Sequence, residues 1–416
     1  MKIKQGFSLC KFIPEPALSV VEGLEMTKKL NRYLGRRNMQ AKALKLKDRK
    51  FDNWRTEVED RWNYEDFLRD EGWRKDWISF DSVLFNPGDN RVYCGITSFD
   101  ADIFYAYDRN EKRFISLDYH RIADPFDAKF HRSLVRSKNG RIYAAVALLH
   151  DIDSYWEAPG GAIVEYDPKT GDLRKLGIPI PHVYIQSIAL DDERRIIYGQ
   201  TFTPEMLFAF DLASKKTKIL GPIGSGMQMG QGENITLDNE GNVWGGWSVT
   251  RAWQSSPGVD SLRLFKYDRK RGRIEYLKHG LPRLDGAYGF AKLDGIYNPG
   301  NGFIYAGTGE GGLMKIDPET GEVKLLGAPC PPRRLAAMVK GPDGFLYGAG
   351  GKFGNASIFR LDLETDEYEV LGKIEDKEEG VSAWQIHDMD ITDDMVIYAG
   401  ENDNINRSSY LWEIKL

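Results

Sequence analysis

The sequence predicts an all-β fold, a seven-bladed β-propeller with an N-terminal helical extension, and three observations carry the prediction. The chain of 416 residues combines 43 Gly with 20 Tyr, 20 Phe and 10 Trp. Short strands joined by many turns need both classes, which prompts a search for internal repeats. A turn, then an aromatic followed by small residues, recurs at Tyr93, Tyr143, Tyr198, Trp244, Tyr305, Tyr347 and Tyr398, with spacings of 50, 55, 46, 61, 42 and 51. After the first six, an alternating strand ends on Asp108, Asp167, Asp211, Asp268, Asp317 and Asp362. Two of these continue as Asp-Pro-x-Thr-Gly, at 167–171 and 317–321, and three units close on Leu-Gly. Pro presets φ at the second turn position and Gly supplies a positive φ, so the pattern has a mechanism. Each unit of about 40–60 residues with four alternating strands reads as one propeller blade.

Residues 1–79 form an extension ahead of the blades. Residues 1–30 lack the apolar core of a signal peptide, because Lys11 and Pro14 interrupt it, and they read as a disordered start. A cytoplasmic location is expected on that ground. The alternation in 41–47 makes that segment the candidate closing strand, since the last blade stops at its third strand, 410–416. A donated fourth strand would remove an exposed sheet edge. Trp54, Val58, Trp62, Phe67 and Leu68 recur at helical spacing, which predicts an amphipathic helix over 52–75. Residues 80–416 then hold the seven blades.

Charge narrows the partners. Lys plus Arg is 57 and Asp plus Glu is 62, a net charge of −5, which argues against a nucleic-acid binder. Cys10, Cys94 and Cys330 lack metal-like spacing and a disulfide framework. No apolar run of 18 residues exists, so no membrane partner is expected. A monomer that takes a small-molecule or oligosaccharide ligand is the expected state.

The two faces of such a ring differ. The loops joining strands one and two are minimal turns, whereas the opposite loops at 149–160, 248–258 and 400–407 are long and polar. Long loops on a rigid scaffold usually carry function. Five of the six histidines, His120, His131, His150, His182 and His387, fall on that loaded face; His279 does not. Eleven residues before each blade's aromatic lie Ser82, Arg132, Ser187, Glu233, Asp294, Ala336 and His387. That ring varies while the strands stay alike, which suits an asymmetric ligand on the axis. His131, His387 and Tyr184 are the candidate catalytic residues. Arg132, His150, Trp156, His182, Gln186, Glu233, Asn234, Arg251, Tyr288, Arg334, Trp384 and Asp388 are the candidate ligand-binding residues. Arg forks bind carboxylates bidentately, and Trp faces stack on sugars. His131, His182 and His387, with Glu233 or Gln385, could meet at one ion, so a divalent metal (Mn, Zn or Ca) is a candidate cofactor at the axial site. No P-loop, dinucleotide fingerprint, nucleophile elbow or EF-hand register is present.

The Asp-Pro-x-Thr-Gly…Leu-Gly unit at 166–177 and 316–327 resembles that of the seven-bladed bacterial propeller lyases, streptogramin lyase and the polysaccharide lyases acting on uronic-acid sugars, and the resemblance covers the blade pattern of 80–416. It implies an axial histidine working with Arg, Tyr or a metal, a role that His131 or His387 matches by position. The expected function is a carbohydrate-active lyase, favoured over a glycoside hydrolase. A histidine would abstract the α-proton of an anionic, uronic-acid-containing substrate, with Arg132 or Arg334 neutralising its carboxylate. The alternative is a non-catalytic propeller that binds a sugar or protein on the same face.

Overall fold

The computed structural model describes residues 39–51, 70–100, 102–202, 204–224, 232–249, 262–286, 292–330 and 333–416. These form a nearly all-β body of antiparallel sheets. Five are four-stranded. One runs Tyr184–Asp191, Ile196–Phe202, Met206–Asp211 and Thr217–Pro222, each strand beside its chain neighbour, and the sheets that begin at Thr236, Leu293 and Leu335 repeat that order. A nine-stranded sheet holds the strands from Ile78 to Gly177, with the short strand Asp127–Phe130 bridging Arg91–Ser98 and Ile142–Leu148.

In the last sheet, the first strand in the chain is the outermost. Gln40–Leu44 pairs antiparallel with Leu411–Lys415, in register from Gln40 opposite Lys415 to Leu44 opposite Leu411. The outer edge of this strand is not left bare, because Ala43 N–H donates to Asp376 Oδ2 at 3.1 Å. Of the helix expected over 52–75, residues 52–69 lie outside the described residues. Within the rest, Glu71–Asp76 is helical, capped by Asp70, whose carboxylate accepts from Gly72 N at 3.0 Å and Trp73 N at 3.2 Å. Among the described residues, no helix is long and apolar enough to cross a membrane.

The recurring residues explain the sheets. The seven aromatics sit on second strands and are at most 3 % exposed. Several turn their polar end to a side chain of the preceding tight turn: Tyr347 donates to Asp343 at 2.7 Å and Trp244 Nε1 to Asp238 at 3.0 Å. The strand-ending aspartates cap the next turn, as Asp167 Oδ1 accepts from Lys169 N at 3.0 Å and Asp362 Oδ1 from Glu364 N at 2.8 Å. Gly beside the aromatic lets sheets approach. A Cβ at Gly307 would stand 2.0 Å from Leu335 O of the following sheet.

The core lies between successive sheets rather than within one. Tyr198 and Leu207 pack with Val243 and Phe265 of the next sheet, and Tyr305 and Leu313 with Leu346 and Phe359. The chain of contacts closes, because Tyr398 and Leu411 of the last sheet share a cluster with Phe80 and Val83 of the first.

Candidate functional site

The innermost strands place the site through a repeated irregularity. Register shifts fall at Asp81, Gln186, Asp294, Ala336 and His387, one extra residue in each strand. A bulge of this kind re-aims a side chain that regular alternation would send elsewhere. Two arginines arrive by another route. Arg132 (φ +42°) and Arg334 (φ +47°) both have left-handed backbone, which costs an L-residue roughly 1–2 kcal/mol. Arg334 is held in that conformation by two glycines of neighbouring loops: its N–H donates to Gly309 O at 2.9 Å, and its carbonyl accepts from Gly351 N at 3.0 Å. Strain kept in place by surrounding hydrogen bonds is common at functional sites.

Seven residues from five stretches of the chain converge. The rings of His131 and His387 meet edge to face with centroids 4.5 Å apart. Ligand atoms of His131, His387 and Glu233 all lie within 4.8 Å of one another. Arg132 donates to the backbone carbonyl of Asp294 and, through Nη2, to Asp294 Oδ1 at 3.3 Å, and it lies 3.5 Å from Glu233 Oε2. Arg334 Nη2 donates to Glu233 Oε2 at 3.4 Å. Its Nε stands 3.2 Å from Asp294 Oδ2, a charge contact without an aligned hydrogen bond. Lys292 donates to Glu233 Oε1. The cluster is enclosed: His131 and Arg132 are 5 % exposed and His387 1 %.

Electrostatics sets the protonation states. Each imidazole has Nδ1 against a backbone carbonyl, His131 on Gln186 O at 2.9 Å and His387 on Asp81 O at 2.8 Å. A carbonyl only accepts, so Nδ1 carries the proton and Nε2 keeps a lone pair. Burial, reinforced by Lys129 and Arg132 at His131 and by Arg132 at His387, holds both rings well below the usual histidine range. Both are neutral at pH 7. Burial would raise Glu233, but the charges of Lys292, Arg334 and Arg132 together outweigh it and hold the carboxyl well below its ordinary value. Burial, aided by repulsion from Glu233, keeps Asp294 above the usual range despite the two arginines, and burial pushes Asp81 up to about 6.

Two imidazole lone pairs and a carboxylate match a metal donor set in number. Their surroundings do not fit a divalent cation. Three cationic side chains already contact Glu233, and Arg132 Nε lies 3.3 Å from His387 Nε2, on the side where an ion would bind. The same surroundings fit an anion.

The other expected residues divide. Gln186 lends its carbonyl to His131, and its buried side-chain Oε1 has no hydrogen-bond partner. Tyr184 stacks on Phe202 at 5.0 Å; burial, then Glu233 and Glu205, raises its hydroxyl well above the usual range, so it stays protonated. His150, Trp156 and His182 form a separate ladder of rings with Tyr155, at centroid distances of 5.8, 5.0 and 5.3 Å. His182 Nδ1 contacts Ala158 O at 2.8 Å, so the convergence of three imidazoles is a convergence of two. Asn234 caps its own strand through Ile235 N. Asp388 accepts from the Val83 amide at 2.9 Å and ties the last sheet to the first. Gln385 donates to Asn402 at 3.0 Å, away from the histidines' hydrogen bonds. Trp384 meets Phe353 at 5.2 Å. Arg251 and Tyr288 lie outside the described residues. The 400–407 loop serves the fold: Glu401 is fully buried and accepts from Arg407 at 2.8 and 2.9 Å and from the amides of Trp384 and Tyr410. Asp81 and Lys292 were missed by the sequence reading. Asp81 lies one residue before the position used to align the blades, and only the bulge shows that it faces inward.

These features define a β-propeller of lyase-like fold with a buried, charged axial cluster. Virginiamycin B lyase from Staphylococcus aureus aligns with it at a TM-score of 0.58 and 13 % identity over 91 % of this chain and 99 % of that one. A catalytically inactive variant of that lyase with Quinupristin gives 0.59 and 12 % over 91 % and 100 %, and a streptogramin B lyase 0.56 and 14 % over 81 % and 93 %. The extracellular domain of BT4673 from B. thetaiotaomicron gives 0.55 and 12 % over 82 % of this chain, which spans 38 % of that domain's length. No family model and no curated protein sequence matches the chain. The cytoplasmic location expected from the sequence is overturned by these similarities, because extracellular domains, those of BT4673 and BT3049, stand among the matching structures. The missing apolar core in residues 1–30 was too weak a ground for it.

Proposed function

We propose that the protein is a lyase acting on an anionic, uronic-acid-containing carbohydrate at the axis of a seven-bladed propeller. On this reading the nine-stranded sheet is two blades joined by the bridge at Asp127–Phe130, and Gln40–Leu44 supplies the closing strand of the last blade. The observation that carries the function is a pair of buried neutral imidazoles next to two arginines and a carboxylate.

Each group has a role it can fill. Arg132 and Arg334 offer guanidinium forks to a substrate carboxylate, which makes the neighbouring α-proton more acidic. The carboxylate would take the place of Asp294 on the guanidiniums, and Asp294, whose affinity for a proton burial raises, would take one up from solvent as it is displaced. His387 is the base: its Nε2 lone pair accepts from Arg132 Nε at 3.3 Å until that guanidinium turns to the substrate carboxylate, and Glu233 Oε2, 3.8 Å away, stabilises the imidazolium once the proton arrives. His131 packs against that ring and fixes its orientation. Tyr184, kept protonated by burial, can donate to the leaving oxygen. No step needs a metal.

Ultraviolet absorbance of unsaturated product, with a panel of uronate oligosaccharides, tests this. Product from the unaltered protein, lost in His387→Ala, supports it. No product anywhere in the panel removes it. A non-catalytic, ligand-binding propeller is the second reading, favoured by one observation: the axial charges are already paired with one another, as a binding site awaiting an anion would also be.

A further inference from the structure

A second concentration of charge lies away from the axis, at the seam where the last sheet meets the first. A cleft of about 940 Å³ opens there, with Gln40–Leu44 and Leu411–Lys415 on one wall and Phe104–Asp108 and Arg113–Ser116 on the other. It reaches the turns at Asn90 and Asp394, beyond the far ends of Ile78–Asn86 and Ile386–Ile391, whose near ends carry Asp81 and His387. The cleft is therefore separate from the axial cluster. Six cationic side chains line it, Lys42, Lys45, Arg109, Lys112, Arg113 and Lys415, against three carboxylates. That is a local positive excess on a chain of net charge −5.

The carboxylates are already engaged. Glu379 pairs with Lys45 at 2.9 Å, Asp394 accepts from Arg109 Nη2 at 2.7 and 2.8 Å, and Glu413 accepts from Tyr398 Oη at 2.8 Å. The Arg109 fork is filled as well, since Nε donates to Tyr398 Oη at 3.2 Å and Nη1 to Asn90 Oδ1. Lys42 and Lys112 are exposed and, among the described residues, make no ion pair; Lys42 acts on Asp376 only at longer range.

The repeat shows what such a place can hold. The fourth residue after the strand-ending aspartate has left-handed backbone at both Asp366 (φ +62°) and Lys112 (φ +52°). Asp366 reaches the preceding sheet, where Lys315 and Lys324, opposite each other in register, hold its carboxylate at 2.7 and 2.8 Å. At the closing seam the equivalent pair is Glu413 and Lys42, because Glu413 stands opposite Tyr398 as Lys315 stands opposite Tyr305. Lys112 stands where Asp366 does, on a turn fixed by Asp108 Oδ1, which accepts from Asn110 N and Glu111 N at 3.0 Å. One seam thus supplies its own anion to its lysines. The other presents lysines on both walls of a cleft whose carboxylates are already held.

We propose that this cleft binds a small molecule with clustered phosphoryl groups, bridged between Lys42 and Lys112. The planar guanidinium that would fork a carboxylate is occupied by Asp394, and the cations left over are ammonium point charges, which suit a compact, densely charged phosphate. A ligand in this position ties the closing strand Gln40–Leu44 to the first sheet, so its binding stabilises the folded chain. The proposal does not rest on the axial site or on catalysis.

Calorimetry on the full chain with inorganic triphosphate, orthophosphate and a hexaglutamate peptide tests it. Triphosphate is expected to bind at least about tenfold more tightly than either of the others. Lys42→Gln with Lys112→Gln should weaken triphosphate about tenfold or more, and Lys42→Arg with Lys112→Arg should restore it to within about threefold. The thermal midpoint should rise with triphosphate in the unaltered protein and in the Arg pair, and stay unmoved in the Gln pair. Triphosphate affinity unchanged by the Gln pair would place the anion elsewhere, at the axial arginines for instance, and overturn the site. Hexaglutamate bound as tightly as triphosphate would overturn the phosphate assignment in favour of an acidic peptide, and no binding of triphosphate would overturn the proposal outright. None of these outcomes bears on the uronate assay, so the two readings fail separately.

Discussion

At the scale of single residues, the axial cluster is defined by what its neighbours do to each charge. Neutral His387 is available as a base, and Glu233 waits as a counter-charge 3.8 Å away. His387→Ala is expected to lower turnover by about 100-fold or more, in line with loss of a positioned base, while leaving substrate binding nearly intact. Steady-state kinetics beside calorimetry separates the two. The acid limb of the pH–rate profile should lie below 6.5, because burial and the arginines hold both imidazoles under that value. A midpoint above 6.5 would mean that the base is elsewhere. Glu233→Gln leaves Lys292, Arg132 and Arg334 facing each other without their shared anion. Loss of about 3 kcal/mol of stability is expected from removing one partner of such a network, read as a lowered urea midpoint. Which residues stand in the ring was legible from counting back to the blade aromatics: Arg132, Glu233, Asp294 and His387 all come from that count. How far each reaches was not legible. Arg334 enters from two residues before its counted position because its backbone is left-handed, and nothing in the residue type announces that.

Among the elements, the seam between the last sheet and the first is the most exposed to pH. Asp388 and Asp390 lie two apart on Ile386–Ile391 and accept from Val83 N at 2.9 Å and Phe85 N at 2.7 Å on Ile78–Asn86. Burial pushes Asp388 up to about 6 and Asp390 up to about 7, against 3.8 in the unfolded chain. A raised carboxyl binds its proton more tightly when folded. Its stabilising contribution is therefore complete below about pH 4 and is lost as pH rises through 6 to 7. Urea midpoints of the unaltered protein should carry this downward trend between pH 4 and 7, and the double variant Asp388→Asn, Asp390→Asn should flatten it. An unchanged slope would show that the carboxyls titrate alike in both states. Gly307→Ala tests the close approach of sheets, since its Cβ would meet a backbone carbonyl at 2.0 Å. Destabilisation of about 1–3 kcal/mol is expected, as for overpacking in a core. The turns and strand-ending aspartates were readable in the sequence because their hydrogen bonds are local. The bulges were not, since a register shift depends on the partner strand.

For the whole molecule, the repeat was the legible part, and its physical basis is now visible. One aromatic per unit is buried between sheets, with Gly beside it where the next sheet comes close. Loop length was a weaker guide. The 400–407 loop looked loaded with ligands, yet Glu401, Asn404 and Arg407 bind one another in the interior, as a buried ionic network that shapes the end of a sheet. Polar residues in a long loop read alike from sequence whether they face solvent or each other. Charge also reads differently at this scale: the chain carries −5 overall, while Arg132, Arg334 and Lys292 gather at the axial cluster, facing Glu233 and Asp294. Those two guanidiniums are what direct the account to an anionic substrate. The most direct measurement is the ultraviolet absorbance of unsaturated ends released from a uronate oligosaccharide by the full chain and by His387→Ala. The account predicts steady product formation by the first and at least about 100-fold less by the second. Equal rates for the two proteins, or no product from either, would contradict it.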